Sequence, residues 1–253
     1  MQRALRLAYV GSRITGDLQS LRRYARLSAI EVHEGRAEAT VDLRLRPLEG
    51  RSVAVRPSTS DVDTVWGVFG RRYHVPPGEV GDPRLILDLG ANIGLTMADF
   101  AVRYPRARVV GVELDDVNAE LARRNVAPWA ERCLVENAAV WPSDGEAWYD
   151  PWPGGTATYR ATPDAGGGRR VRAISLASLV AKHGPVDYMK VDVEGGERAL
   201  LQDGSGWASR VRTIKVELHG SYARAACEAD LTRLGFEARV DPRHWACVEG
   251  VRT

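Results

Sequence analysis

Leu85-Ile86-Leu87-Asp88-Leu89-Gly90-Ala91-Asn92-Ile93-Gly94-Leu95-Thr96 is the stretch that decides the fold. An apolar run leads into Asp88, two glycines follow four positions apart, and Met97, Ala98, Phe100 and Ala101 continue at helical spacing. The pattern reads as a buried strand, a tight turn and a helix start, the arrangement that cradles an adenosyl-bearing ligand in open α/β sheets. Glycine suits such a turn because it has no Cβ to resist a left-handed backbone or the close approach of another group. The expectation is that the ligand makes that approach.

Arg108-Val109-Val110-Gly111-Val112-Glu113 reads as a second strand ending in a carboxylate, nineteen residues after Gly94. An acid there is placed to accept both ribose hydroxyls of an adenosine. A nicotinamide or flavin fingerprint would need glycine at positions 90, 92 and 95, where this chain has Gly90, Asn92 and Leu95. S-adenosylmethionine has no pyrophosphate to accommodate, and its amino-acid end can bond to an amide. The turn therefore favours a methyl donor over a dinucleotide, with a nicotinamide-dependent oxidoreductase as the rival reading.

At 253 residues, 44% hydrophobic and 27% charged, the chain has the composition of an ordinary globular protein with room for one large α/β domain and an N-terminal extension. A net charge of +2 gives no argument for nucleic acid. The arginine-rich opening lacks a continuous apolar run and a small-residue cleavage site, so a signal peptide is not expected. It reads instead as an amphipathic helix packing through Leu18, Leu21, Tyr24 and Leu27. Cys133, Cys227 and Cys247 are widely spaced with no metal-ligand pattern, which fits a reducing cytoplasm and no structural zinc.

Residues 1–80 read as the extension. Alternation over 29–56 predicts two or three antiparallel strands, and Arg56-Pro57-Ser58-Thr59-Ser60-Asp61 leads into a helix over 62–69. From 81 to 253 strands and helices alternate, predicting a parallel sheet. Strands are expected at 84–89, 108–113, 133–137, 186–192 and 211–218, and helices at 94–104, 115–127, 175–183 and 196–202. A helix at 222–234 and strands at 236–240 and 245–249 close the chain. An insert, 141–170, carries Trp141, Trp148, Tyr149, Trp152 and Tyr159 among prolines and glycines. It is either a lid over the acceptor or a surface hairpin turning at Asp144-Gly145.

Val186-Asp187-Tyr188-Met189-Lys190-Val191-Asp192-Val193-Glu194 breaks the apolar rule for a central parallel strand. Lys190, Asp192 and Glu194 recur at period two and should share one face at the ligand-binding end of the sheet. The next strand, Ile214-Lys215-Val216-Glu217-Leu218-His219, offers Glu217 as an ion-pair partner for Lys190. It also offers His219, whose ordinary pKa suits proton transfer near neutrality.

These segments, with Val193-Glu194-Gly195-Gly196-Glu197, resemble the FkbM family of S-adenosylmethionine-dependent methyltransferases over roughly residues 53 to 240. The resemblance implies a class I, Rossmann-like, mostly parallel seven-stranded sheet. It also implies O-methylation of a sugar or secondary metabolite, with N-methylation and a non-catalytic binding module as alternatives. Asp88, Gly90, Asn92, Gly94 and Glu113 are the expected cofactor contacts, with Asn137 and Ala138 beside the adenine. His219 and Asp192 are the candidates for proton removal, with Glu194 and Lys190 orienting the acceptor. Tyr73, Trp148 and Trp152 are the expected acceptor contacts, and no metal is expected, an ion on Asp192 and Glu194 being the lesser alternative. The expected partner is a small-molecule acceptor, with neither nucleic acid nor membrane; a homo-oligomer stays open.

Overall fold

The computed structural model describes residues 2–30, 39–78, 80–149, 161–162, 168–204 and 206–252. The N-terminal segment forms two helices where one was expected: α1 (Gln2–Tyr9), continued by a wide π turn over Val10–Ile14, and α2 (Leu18–Leu27). The break comes where the chain dips to meet a strand: the Gly16 amide donates to the Arg44 carbonyl at 2.7 Å. Asp17 then caps α2 by accepting from the Ser20 amide. Tyr24 and Leu27 are buried as expected, but Leu18, in the first turn of α2, is exposed. Strands β1 (Val41–Leu45) and β2 (Arg51–Val55) form one antiparallel hairpin. The helix expected over 62–69 is α3 (Asp61–Val65), widening into a π turn over Trp66–Arg71.

The main body follows as β3 (Leu85–Leu89), α4 (Leu95–Arg103), β4 (Arg108–Glu113), α5 (Asp116–Val126) and β5 (Cys133–Asn137). Short β6 (Ala139–Val140), β7 (Gly145–Tyr149), β8 (Ala161–Thr162) and β9 (Arg169–Ile174) form a separate four-stranded sheet. Then come α6 (Leu176–His183), β10 (Val186–Val191), α7 (Glu197–Gln202), β11 (Val211–Glu217), α8 (Arg224–Arg233), β12 (Glu237–Val240) and β13 (Cys247–Val251). The seven-stranded sheet runs β12-β13-β11-β10-β3-β4-β5, and only the pairings of β13 are antiparallel. The order reverses beside β3, between β4 and β10. In open α/β sheets the ligand crevice lies at such a reversal, outside the carboxyl ends of the strands.

Alternate strand residues serve two cores. Leu85, Leu87, Leu89, Met189, Val191, Ile214 and Val216 face α6, α7 and α8. Ile86, Val109, Val135 and Tyr188 share the other core with α4, α5 and the buried side chains of residues 10–80. The N-terminal segment is thus packed onto one face of the sheet rather than tethered to it. Within the small sheet, β9 lies between β6 and β7. Asp144-Gly145 is therefore not a hairpin turn, and Asp144 instead accepts from the Ser175 amide ahead of α6.

Polar bridges fix the N-terminal segment in register. Asn125 on α5 accepts from the Ala54 amide at 2.7 Å and donates to the Ala54 and Ile93 carbonyls at 3.0 and 2.8 Å. It satisfies the free edge of β2 and one peptide of the glycine turn with a single amide. Buried Arg56 makes a two-pronged pair with Asp61 and donates to Asn118 on α5 at 2.7 Å. Asn125→Ala leaves three buried backbone groups without that partner, at about 1–3 kcal/mol for each group left unsatisfied. Denaturant titration should show a loss of that order, with the far-ultraviolet circular dichroism of the folded baseline unchanged.

Candidate active site

A cavity of ≈ 220 Å³ opens at the carboxyl ends of β3, β4, β10 and β11. Gly90, Asn92, Glu113, Ala138, Tyr73, Asp192, Glu194 and His219 all line it, so eight residues singled out in the sequence converge. Asp88, Gly94, Asn137, Lys190 and Trp148 do not line it, and Trp152 lies outside the described residues.

The residues set back from the cavity build its frame. Asp88 is fully buried, bonded by the Thr96 hydroxyl and 3.1 Å from Lys190 Nζ. Gly94 starts α4 at φ 79°, and a Cβ there would press to 3.0 Å from the Ala122 Cα. Asn137 donates to the Glu113 and Leu114 carbonyls at 2.9 and 3.0 Å, bracing the end of β4. Trp148 sits on β7 opposite Arg170, while its neighbour Tyr149 turns inward to bond Asp115 at 3.0 Å. The close approach at Gly90 is made by protein: a Cβ on this φ 78° residue would lie 1.7 Å from the Asp192 carbonyl oxygen.

The expected Lys190–Glu217 pair does not form. The parallel register puts Lys190 between Asp88 and Lys215, and Lys215 pairs with Asp241 instead. Lys190 Nζ lies 3.2 Å from Asp192 Oδ2 and donates to the Gly90 carbonyl at 3.1 Å, tying together the turns that follow β3 and β10. Burial works against its charge, but Asp192 and Asp88 push its pKa well up. Tyr73 Oη donates to Asp192 Oδ2 at 3.1 Å.

β10 ends at Val191, so Asp192 and Glu194 reach the cavity from a turn and not from strand alternation. Glu194 adopts φ 53° and Gly195 φ 106°. Glu197, missed as a site residue although it lies in the quoted motif, organises this turn. It is fully buried, accepts from the Val193 and Gly195 amides, and sits 2.8 Å from His219 Nδ1. His219 Nε2 is left facing Asp192 Oδ1 at 3.7 Å and Glu194 Oε2 at 3.6 Å. One ligand-type atom from each of Asp192, Glu194 and His219 falls within 4.8 Å of the others. These three are the residues that could hold a cation.

Burial disfavours a charged His219, but the Glu197 bond and the charges of Asp192 and Glu194 outweigh it and push the pKa up to about 9. Glu217, expected only as an ion-pair partner for Lys190, instead lines the cavity, and burial followed by repulsion from Asp192 pushes it up to about 8. Glu113 accepts from the Asn92 amide at 2.8 Å and the Asp115 amide at 3.0 Å. Its burial wins over those bonds and raises it to about 7.

The chain matches the methyltransferase FkbM domain over residues 88–237. It belongs to the FkbM methyltransferase family. The fold is accordingly that of a class I methyltransferase. A crystal structure of an FkbM methyltransferase from Methylobacillus flagellatus KT aligns with 92% of this chain and 59% of its own at 12% identity and a TM-score of 0.47. The apo S-adenosylmethionine-dependent methyltransferase SibL aligns with 97% of this chain and 72% of its own, at 14% identity and the same TM-score of 0.47. Two tRNA1(Val) (adenine(37)-N6)-methyltransferases from strains of Porphyromonas gingivalis are 36% and 37% identical over 74 and 67 residues. Those matches span 28% and 26% of the relatives' length.

The raised His219 pKa makes a prediction independent of any substrate. Nuclear magnetic resonance titration of the ring should give a midpoint near 9, and Glu197→Gln should lower it toward the ordinary 6.5. Because the folded value is the higher one, this ion pair stabilises the fold fully below pH 6.5 and loses its contribution as pH rises through about 9.

Proposed function

We propose that this FkbM-family protein methylates a hydroxyl oxygen of a small-molecule acceptor, a sugar or secondary metabolite, using S-adenosylmethionine. The observation that carries the reading is the acidic lining of the cavity. Glu113, Asp192, Glu194, Glu217 and Asp63 line it against Arg71 and His219. Such an excess of acidic groups suits a ligand bearing both a sulfonium and an ammonium, whose charges favour the ionised carboxylates. A further sign is the Asn92 side-chain oxygen, buried and without a hydrogen-bond partner among the described residues. Bound there, S-adenosylmethionine supplies a methyl carbon already made electrophilic by sulfur.

In this reading Asn92 accepts from the ammonium of the methionine end, Glu113 accepts from the ribose hydroxyls, and Ala138 lies along the adenine. The neutral form of His219, which grows as pH rises through about 9, offers Nε2 to the acceptor proton while Nδ1 stays with Glu197, which keeps the ring from turning away. Asp192 and Glu194 flank Nε2 and orient the hydroxyl. Lys190 acts at one remove by fixing Asp192. A base held this firmly favours a hydroxyl, whose proton must leave, over a neutral amine, which attacks through a free lone pair. Net charge of only +2 fits a small acceptor better than a polyanion.

Calorimetry with S-adenosylhomocysteine tests the cofactor half. Affinity should rise as pH passes upward through about 7, where Glu113 loses its proton and becomes a pure acceptor. Glu113→Gln should remove that pH dependence and weaken binding by about 1.5–3 kcal/mol. Once an acceptor is in hand, His219→Ala should lower kcat by about 10²–10⁴ and leave measurable turnover, since alignment remains. Unchanged kcat would take the proton-transfer role away from His219.

A further inference from the structure

Helix α3 and its π turn separate two hollows. Ser60, Thr64, Gly67 and Arg71, on one face of this segment, line the active-site cavity. Thr59, Val62 and Trp66, on the adjoining face, line a second groove of ≈ 780 Å³. Asp63 stands on the ridge between those faces and lines both. The two hollows therefore share one wall residue.

Their characters differ. Asp63, Glu113, Asp192, Glu194 and Glu217 punctuate a cavity wall that also holds Val112, Leu114, Val140 and Trp141. The groove, with Asp63 as its one acid among the described residues, is walled mostly by Leu5, Tyr9, Leu27, Ile30, Val62 and Trp66. Of the six large apolar side chains exposed among the described residues, Leu5, Tyr9 and Ile30 gather here. Scattered exposed hydrophobes need no explanation, but a cluster beside a site does. Arg6 closes the boundary: it donates to Asp63 at 2.7 Å and to the Tyr24 hydroxyl at 3.0 Å, with its guanidinium 5.1 Å from the Trp66 ring centre. The crossing between hollows is thus a short polar strip with an apolar trough beyond it.

Size decides what can lie there. At ≈ 220 Å³ the cavity is below the roughly 300–1,000 Å³ of ordinary ligand pockets, and the groove at ≈ 780 Å³ is within that range. A cofactor in the cavity leaves space for little more than the reacting end of an acceptor. We infer that the acceptor is an amphiphile whose hydroxyl-bearing end enters the cavity while an apolar arm, aliphatic or flat aromatic, crosses Asp63 and lies in the groove. The inference rests on reading the cavity as a methyl-transfer site. It adds the acceptor's shape and the surface that selects it. All of the groove lies before residue 88, outside the segment matched to the family.

The test uses the full chain saturated with S-adenosylhomocysteine, whose own binding is measured first. Octyl β-D-glucoside (below micelle formation) and 4-octylphenol are titrated calorimetrically against methyl β-D-glucoside and 4-methylphenol. At least one long-chain probe should bind tenfold or more tightly than its short partner. Leu5→Asp with Ile30→Asp, both at exposed positions, should erase that gain and leave S-adenosylhomocysteine affinity unchanged. The inference is overturned if neither long-chain probe gains, or if the gain survives the double substitution. It is equally overturned if sedimentation shows a dimer that the double substitution dissolves, because a second copy would then be the occupant. Failure of S-adenosylhomocysteine to bind the unaltered chain would instead strike the methyl-transfer reading.

Discussion

The Lys190 ammonium is the interaction on which the rest of the site depends. It is buried, about 3 Å from Asp88, Asp192 and the Gly90 carbonyl alike. A lone buried charge is costly and so are two facing carboxylates, yet the three together satisfy one another. Removing any member leaves the others uncompensated, at a cost of about 3–5 kcal/mol in comparable buried pairs. Through this cluster the turn after β3, which carries Asn92, is clamped to the turn after β10, which carries Asp192 and Glu194. The same clamp explains why position 90 tolerates no side chain: the Asp192 carbonyl occupies the place a Cβ would take.

The fold was legible because each parallel strand is a short apolar run bounded by turn chemistry. The five parallel strands lie within a residue of their expected bounds, and the helices between them within one residue at each end. Side-chain partnerships were less legible because they depend on register, which no local pattern encodes. Lys190 and Glu217 looked complementary as neighbours in a list of strand residues, whereas the register sets Lys190 against Lys215 and Asp88. Glu197 was overlooked for a similar reason. A glutamate opening a helix reads as a dipole partner, and only the turn at Glu194 and Gly195 brings it under His219. In the opening segment the sequence offers a single amphipathic helix through Leu18, Leu21, Tyr24 and Leu27. What separates it from α1 is a tertiary contact between Gly16 and Arg44.

The division of labour follows chain order. The family-matched segment, 88–237, supplies the glycine turn, Glu113 and the Asp192–Glu194–Glu197–His219 set. Ser60, Asp63, Thr64, Gly67, Arg71 and Tyr73 of the cavity wall come from before that segment. Asn125 and Arg56 make the two parts one packed body.

The central claim is that the clamped turns form the methyl-donor site. Amide hydrogen exchange with and without S-adenosylhomocysteine measures this directly. The account predicts slowed exchange at Gly90–Gly94, at Glu113–Asp115 and at Ala138, with little change in α8, β12 or β13. Binding without protection at the glycine turn, or protection centred on the far edge of the sheet, would contradict it.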